Sequence, residues 1–404
     1  LSANTTGSGD VAIGHNSLAS NTEGSQQVAV GKDSMYSNTT GYNNTSVGWE
    51  SMKANTTGYL NVAVGQQAML ANTEGYSNVA IGHNSYATAT TANHNTCVGD
   101  NAGASITVGQ GNVCIGADAG DAISGSNGKW NTAVGYGALG ACTSFFQNTA
   151  IGQGCLSSNI AHGNTGIGAR CLTSNTHGSS NNGHGYFCMD ECTTGDDNNC
   201  FGNAAGRYIT TGDANSCFGG GAGNTITTGN GNTIIGYSSD CPADNNHVIA
   251  IGYDVTGSSS TTTIGSGTSD IRTNHGSTAW ATVSDERVKK DIKDAEAGLS
   301  FINDLRPRTF NYKAKGDIPE EFKGYEKDST EPYKFSTTNH GFIAQEVKET
   351  IDNHPEIKDG FSMWDVRETG QQEVGETAVI PILVKAVQEL SAQIEELKAE
   401  LESK

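Results

Sequence analysis

The sequence predicts a mainly β protein: a parallel β-roll or β-solenoid with coils of about 17 residues, then an α+β domain that ends in a coiled-coil helix. Three observations predict this architecture. A glycine-centred repeat runs through residues 1–265, the composition changes at residue 284, and apolar residues follow a heptad spacing near the C-terminus. A fixed period near 20 residues is typical of solenoids and repeat arrays.

The composition divides the chain of 404 residues into two parts. Residues 1–283 contain 6 Lys and Arg, 17 Asp and Glu, and 46 of the 53 Gly, whereas residues 284–404 contain 17 basic and 26 acidic residues. We assign 1–265 to a repeat fibre, 266–283 to a neck or linker without a period, and 284–404 to a second domain.

The net charge of −20 excludes nucleic acid as an expected partner, because binding a phosphate backbone requires Lys and Arg. We find no run of 18 apolar residues and therefore predict no membrane insertion. The chain begins at Leu1 without a basic and apolar leader, so we expect it to be part of a longer polypeptide.

The repeat is carried by a glycine that follows a short, mostly apolar segment in fifteen copies. Pairs such as Val28/Val30 and Val79/Ile81 alternate with period two, as a half-buried strand requires. An Asn stands four residues before most of these glycines, and we expect these side chains to stack into a hydrogen-bonded ladder. Fifteen coils at about 4.8 Å each predict a rod of roughly 70 Å. The repeated glycines are Gly14, Gly31, Gly48, Gly65, Gly82, Gly99, Gly116, Gly135, Gly152, Gly168, Gly185, Gly202, Gly219, Gly236 and Gly252.

Ten cysteines all precede Ser284, and seven of them stand at positions where other copies of the repeat have Ala or Ser. We interpret them as small buried core residues, with disulfides or a metal site as the alternative. The acidic residues do not recur in register, so no calcium ladder and no other metal or cofactor is expected. A carboxylate pair for glycan cleavage stays open as an alternative, although no pair stands out.

The local pattern of the repeat, as in Asn78-Val79-Ala80-Ile81-Gly82, resembles the head repeats of trimeric bacterial adhesins. The resemblance covers most of residues 1–265 and implies a parallel β-roll built from three chains. The period here is longer than in the adhesin heads.

The composition boundary coincides with the heptapeptide SDERVKK, residues 284–290. A serine hydroxyl becomes a nucleophile when an adjacent amine takes its proton, and Ser-Lys dyads are a known variant of that chemistry. Lys289, five residues after Ser284, is the candidate base, and Lys290 is the competing candidate. By itself this spacing is a weak signal.

Two further blocks strengthen the signal: LRPRTFNY at residues 305–312 and HGFIAQEV at residues 340–347. Together with SDERVKK they resemble the C-terminal intramolecular chaperone of phage endosialidases, tail spikes and tail fibres, across essentially all of 284–404. The resemblance implies that the domain trimerises, templates the upstream β-structure and then cuts the chain between Val283 and Ser284. It gives Ser284 the role of nucleophile and Lys289 the role of base.

The same resemblance makes five other residues candidates for supporting roles. Asp285 and Arg287 match the first motif, and His340, Gln345 and Glu346 match the second block. For the last three, packing or subunit contact is an equally supported interpretation.

A helix is predicted over residues 380–404, with apolar residues in steps of 4 and 3. β-branched residues at the a positions with Leu at d favour dimers. The family resemblance implies trimers, and we expect trimers. A helix that packs on its own domain is the alternative. The seam residues are Leu383, Val387, Leu390, Ile394, Leu397 and Leu401.

These observations predict a homotrimeric phage tail fibre or spike segment that binds a host-surface glycan or protein and joins other tail proteins through an upstream part. We expect it in the virion, with the chaperone fragment released in the host cytoplasm. Its only enzymatic activity would be a single self-cleavage. The alternatives are a glycan-cleaving tail spike, a bacterial trimeric adhesin, and a membrane-tethered transcription factor like myelin regulatory factor. The third alternative needs a DNA-binding domain and a membrane span, and we find neither in this sequence.

Overall fold

The computed structural model describes residues 1–358 and 360–403, and Lys404, the last residue of the predicted helix 380–404, lies outside them. The chain forms two compact units, Leu1–Val283 and Ser284–Lys404. The division falls at the composition boundary.

The first unit is a solenoid in which each coil contributes one short strand to a single sheet of 17 strands. Consecutive strands β1 to β16 pair in parallel, with Val62 opposite Val79 as a representative register. The predicted β-solenoid is therefore confirmed. The strands are β1 (Val11–Ile13), β2 (Val28–Val30), β3 (Thr45–Val47), β4 (Val62–Val64), β5 (Val79–Ile81), β6 (Thr96–Val98), β7 (Val113–Ile115), β8 (Thr132–Val134), β9 (Thr149–Ile151), β10 (Thr165–Ile167), β11 (Asn182–His184), β12 (Asn199–Phe201), β13 (Ser216–Phe218), β14 (Thr233–Ile235), β15 (Ile249–Tyr253), β16 (Thr261–Ser266) and β17 (Ser269–Asn274).

The alternation of side chains along each strand decides which residues form the core. In β5 the central Ala80 is fully buried, whereas Ile81 beside it is 40% exposed. Successive residues of a strand point to opposite faces, so the small central residue faces inward. A large side chain four residues after the repeat glycine, such as Met52 or Leu139, fills the remaining interior and is fully buried.

The repeat glycines are required by the close approach of neighbouring coils. Gly82 has a φ of 133°, and a Cβ built on it would lie 2.3 Å from the carbonyl oxygen of Gly99 in the next coil. No side chain fits at that distance, and this φ is one that only glycine adopts readily. The regular spacing of the repeat glycines therefore follows from the backbone contact itself.

The Asn residues form the predicted ladder along the solenoid. The side-chain amide of Asn78 donates to Oδ1 of Asn61 at 3.1 Å and to the carbonyl oxygen of Ala92 at 2.8 Å. Its own Oδ1 accepts the backbone N–H of Asn95 at 3.0 Å. Each buried amide thus satisfies backbone groups that the turns leave without a partner.

The segment predicted as a neck, 266–283, contains all of β17, which pairs antiparallel with β16. Arg272 of β17 and Ala281, which follows the strand, exchange two backbone hydrogen bonds, at 2.8 and 2.7 Å. No period is visible in this segment because the hairpin occurs once, whereas the parallel coils repeat.

The described residues of the second unit form three α-helices and two small antiparallel sheets. The elements are β18 (Arg308–Phe310) paired with β19 (Asn339–Gly341), β20 (Trp364–Val366) paired with β21 (Gln372–Val374), and the helices α1 (Leu299–Asp304), α2 (Ala344–Asp352) and α3 (Ile380–Glu402). Phe301 of α1, Val347 of α2 and Ile382 of α3 meet in one core with the buried Met363. Glu389 of α3 accepts a hydrogen bond from the first backbone N–H of α1 at 2.7 Å, which holds these two helices together.

The heptad face of α3 lies away from this core. All six predicted seam residues are exposed, from 41% at Leu383 to 75% at Leu401, while Ile382 and Ala386 on the other face are buried. Within this chain, α3 therefore packs on its own domain through its first turns only, and the seam has no cover among the described residues.

The segment Glu376–Glu402 is also long and apolar enough to span a membrane, by length and composition alone, with a mean hydropathy of 1.2. This helix is an exception to the prediction of no membrane span. One such helix is weak evidence for a span, and its heptad spacing and the buried Ile382 are equally typical of helix packing.

Candidate cleavage site

The candidate dyad lies on a short turn at the start of the second unit. Asp285 precedes a 3-10 turn, Glu286–Val288, and its Oδ1 accepts the backbone N–H of Arg287 at 2.9 Å. An Asp in this N-cap position satisfies a backbone donor that the turn leaves open. The turn reverses the chain, so that Lys289, which ends it, comes back toward Ser284.

The amine and the hydroxyl of the predicted dyad are in hydrogen-bond contact. Nζ of Lys289 lies 2.7 Å from Oγ of Ser284. Of the two candidate lysines, Lys289 is the one whose amine reaches the hydroxyl. A nucleophile and its base within about 2.6–3.2 Å of each other are the geometric requirement for an activated serine.

Asp285 and Arg287 act on the turn and contact each other. The Arg287 guanidinium donates to both carboxylate oxygens of Asp285, with Nε at 2.9 and 3.1 Å. This hydrogen bonding lowers the pKa of the Asp285 carboxyl below its usual value. The pair keeps Asp285 ionised as the cap of the turn that brings Ser284 and Lys289 together.

The candidate residues of the block HGFIAQEV, residues 340–347, lie in the second unit but are not in contact with the dyad in the described hydrogen bonds. Glu346 of α2 accepts hydrogen bonds from Nη2 and Nε of Arg308 at 2.6 and 2.9 Å, and this contact lowers the pKa of Glu346. Arg308 belongs to β18, so the pair ties α2 to the small sheet. His340 and Gln345 line a cavity of about 600 Å³ whose lining does not include the dyad. Of these three residues, Glu346 therefore has a structural contact, while His340 and Gln345 border the cavity.

Residues 284–354 match the family described as chaperone of endosialidase. The match begins at Ser284 and ends within the residues that follow α2. No curated protein and no solved structure matches the chain.

This chaperone region coincides with the start of the second unit and contains the turn with Ser284 and Lys289. The family match supports an autoproteolytic chaperone function for the region. A β-solenoid followed by such a region suggests a tail-fibre-like or tail-spike-like protein.

Sequence reasoning missed one cluster of ionisable groups within the chaperone region. His354, which is 8% exposed, has its two ring nitrogens 2.9 Å from Asp304 and 2.9 Å from Glu356. Burial opposes a positive charge on the imidazole, but the hydrogen bonds to the two carboxylates outweigh it and raise the pKa of His354. Asp304 lies 50 positions away in the sequence, so only the fold brings this pair together.

The ten cysteines of the first unit are buried and have free thiols, in keeping with the packing interpretation. Burial raises the pKa of Cys142 to about 11 and of Cys192 to about 12, so these thiols stay protonated near neutral pH. Among the residues that the structure describes, no group of three or more His, Cys, Asp or Glu could hold a metal ion.

Proposed function

We propose that this chain is a segment of a homotrimeric tail fibre or tail spike whose C-terminal unit assembles and folds the solenoid and then cuts itself off between Val283 and Ser284. The observation that carries the proposal is the hydrogen bond between Lys289 and Ser284 at the first residue of the chaperone region. The fibre is the lasting product, and the chaperone acts once.

The cleavage begins with an acyl shift. Neutral Lys289 takes the hydroxyl proton of Ser284, whose Oγ forms a bond to the carbonyl carbon of Val283. The C–N bond then breaks, and the Lys289 ammonium returns the proton to the departing amine of Ser284. The acyl chain is now an ester on Oγ.

Water completes the reaction. Lys289 removes a proton from a water molecule, the oxygen of which bonds to the ester carbon. The ester C–O bond breaks and Oγ regains a proton. The products are 1–283 with a new carboxyl group and 284–404 with a new amino group, so every atom is accounted for.

The base must lose its own proton before it can act, and burial in a low-dielectric site favours a neutral lysine. Ser284 and Lys289 are both exposed in the single chain. We therefore expect cleavage to follow assembly, because contact with further copies would cover the dyad. This order lets the chaperone finish its work before it is released.

Two exposed apolar surfaces support a homotrimer. The seam of α3 is one, and large contiguous apolar surfaces mark association sites. The other is the outer face of the solenoid sheet, where the last residue of each strand forms a stripe along the unit. Ile81, Ile115 and Ile151 of this stripe are each exposed by 38–40%. In parallel copies held in register by α3, identical stripes would face one another.

The repeat unit would then attach the virion to the host, through a cell-surface glycan or protein, and join other tail proteins through an upstream part. The chaperone fragment would be left in the host cytoplasm. The long, hydrogen-bonded solenoid suits such a function because each coil is paired with the next along the whole sheet.

The experiment is the intact mass of the purified chain beside three variants. Wild type should give two fragments that meet at Val283/Ser284, whereas Ser284→Ala and Lys289→Ala should stay whole. Lys290→Ala is the matched control and should still be cut. Cutting of the Ser284→Ala chain, or cutting at another bond, would remove the dyad from the mechanism.

A further inference from the structure

The apolar stripe on the outer face of the solenoid sheet is interrupted by one polar side chain. In the sixteen parallel strands β1 to β16, the residue aligned with Ile81 is Ile, Val or Phe in fifteen strands and His in one. The exception is His184, the last residue of β11, which is half-buried. The aligned residues are Ile13, Val30, Val47, Val64, Ile81, Val98, Ile115, Val134, Ile151, Ile167, His184, Phe201, Phe218, Ile235, Ile251 and Ile264.

The strands on either side of β11 flank His184 with apolar side chains. In the parallel register His184 lies between Ile167 of β10 and Phe201 of β12. The centroid of its ring lies 4.4 Å from that of Phe201, and Phe201 in turn stacks on Phe218 at 5.1 Å. These contacts limit the positions that the imidazole can take along the stripe.

The neighbouring amides on this face of the sheet bond elsewhere. Asn182 and Asn199 begin β11 and β12, at a position where the other parallel strands have Val, Thr, Ser or Ile. The amide of Asn182 donates to Oδ1 of Asn199 at 2.9 Å, and the amide of Asn199 donates to the carbonyl oxygen of Asp197 at 3.2 Å. Among the described residues, neither ring nitrogen of His184 has a hydrogen-bond partner.

Assembly would cover this imidazole. The proposed homotrimer brings the stripes of three parallel copies together, and in a cyclic assembly the same residue of each copy lies at the same height along the axis. Three copies of His184 would then meet inside an interface that is otherwise formed by Ile, Val and Phe. A polar group in such a place costs stability unless it has a partner. The assembled trimer therefore needs a partner for three imidazoles at once.

We propose that three His184 side chains, one from each copy, bind a single divalent transition-metal ion on the axis of the trimer. Neutral imidazole is a ligand of zinc, copper, nickel and iron, whereas calcium and magnesium prefer oxygen ligands. Three imidazole nitrogens with a fourth position left for water are one of the coordination sets that zinc takes in proteins. One ion gives each imidazole a partner and links the three chains at one level of the fibre.

The inference rests on the proposed trimer, because one chain contributes only one ligand. For the same reason, the described residues of a single chain contain no group of three or more His, Cys, Asp or Glu that could hold a metal ion. The sequence likewise predicts no metal, since a ligand set divided over three chains leaves no motif in any of them. The ion would link the chains in the part of the fibre that the chaperone unit no longer holds after cleavage.

The test measures the zinc content of the purified wild-type protein after incubation with Zn²⁺ and gel filtration, beside its oligomeric state from light scattering. We expect one zinc ion per three chains. His184→Ile should bind no zinc and still form a trimer, because Ile is the aligned residue of the preceding coil and leaves the stripe unbroken. His83→Ala is the matched control: His83 lies outside the stripe and pairs with Asp100 at 2.8 Å, so its loss should leave the zinc content unchanged.

A second measurement uses the wild-type protein alone and does not depend on how well the variant folds. Removal of zinc with EDTA should lower the melting temperature of the wild-type trimer, because an ion that binds only the assembled state stabilises that state. The melting temperature of His184→Ile should not change. A trimer without zinc, or equal zinc in His184→Ile and wild type, would overturn the metal site and leave the proposed function standing. A wild-type protein that is monomeric by light scattering would overturn the trimer and the metal site together, so the two failures are distinguishable.

Discussion

Removing one Asn from the buried ladder should weaken the solenoid locally and by a predictable amount. Asn198 is fully buried, its side-chain amide donates to the carbonyl of Gly212 at 2.8 Å, and its Oδ1 accepts the backbone N–H of Asn215 at 3.0 Å. Substitution by Ala leaves that carbonyl and that N–H without partners in a site that water does not reach. The backbone N–H of residue 198 keeps its own acceptor on Asn181.

The magnitude follows from the two orphaned groups. A buried polar group left unpaired costs about 1–3 kcal/mol, so the two together cost about 2–6 kcal/mol. In a repeat protein each coil contacts only its neighbours, and the loss therefore concentrates in the coils around residue 198. A central value of about 4 kcal/mol corresponds to roughly a thousandfold rise in local opening.

Hydrogen exchange followed by mass spectrometry on the whole chain measures this opening coil by coil. Protection of the strands β11 to β13 should fall by about three orders of magnitude in Asn198→Ala, with distant coils unchanged. Asn203→Ala is the matched control, because Asn203 lies in the same coil with an exposed side chain. Equal protection in the two variants, or a loss spread evenly over all coils, would refute the role given to the ladder.

Four further outcomes follow from the same structure. Deleting 284–404 should leave 1–283 aggregated or unfolded, because a solenoid nucleates poorly without a template; soluble trimers from the truncated chain would contradict the chaperone function. Released 1–283 should resist heat and detergent as a trimer yet fail to refold from guanidinium, since its barrier to unfolding is high and the template has left; recovery of native trimers would show that the repeats alone suffice. Leu390→Glu should reduce trimers to monomers by light scattering and suppress cleavage, while Ala392→Glu off the seam should not. The raised pKa of His354 stabilises the folded second unit at pH values below 6.5, the ordinary pKa of a histidine, and this stabilisation is lost as the pH rises through the folded-state pKa. The urea midpoint of the second unit should therefore fall over that pH range, and a midpoint that does not change with pH would exclude this contribution.

The repeat was predictable because its causes are local and recur in every coil. The inward position of Ala80, the glycine at 82 and the ladder amide of Asn78 each reflect one contact with the next coil, repeated along the chain. A pattern that occurs fifteen times is visible in the sequence, whereas the single hairpin of β16 and β17 is not.

The dyad and the contact between Arg170 and Asp190 differ in what a sequence can reveal. A sequence motif indicates Ser284 and Lys289, and the turn capped by Asp285 brings their side chains into contact. Arg170 and Asp190 lie in consecutive coils and contact each other at 3.4 Å, and no motif marks the pair. Aligning the coils in register places the two residues in consecutive coils, but the sequence does not indicate which side chains of neighbouring coils form a pair.

The way the first unit ends has a consequence for the life of the released fibre. Ala281 is held to Arg272 by two backbone hydrogen bonds, and Val283 follows only two residues later. A cut after Val283 would therefore leave a very short loose tail on the solenoid. Proteolysis concentrates at loose chain ends, so this end would offer a protease little to remove. The position of the cut would thus yield a fibre whose new end is short and held close to the sheet.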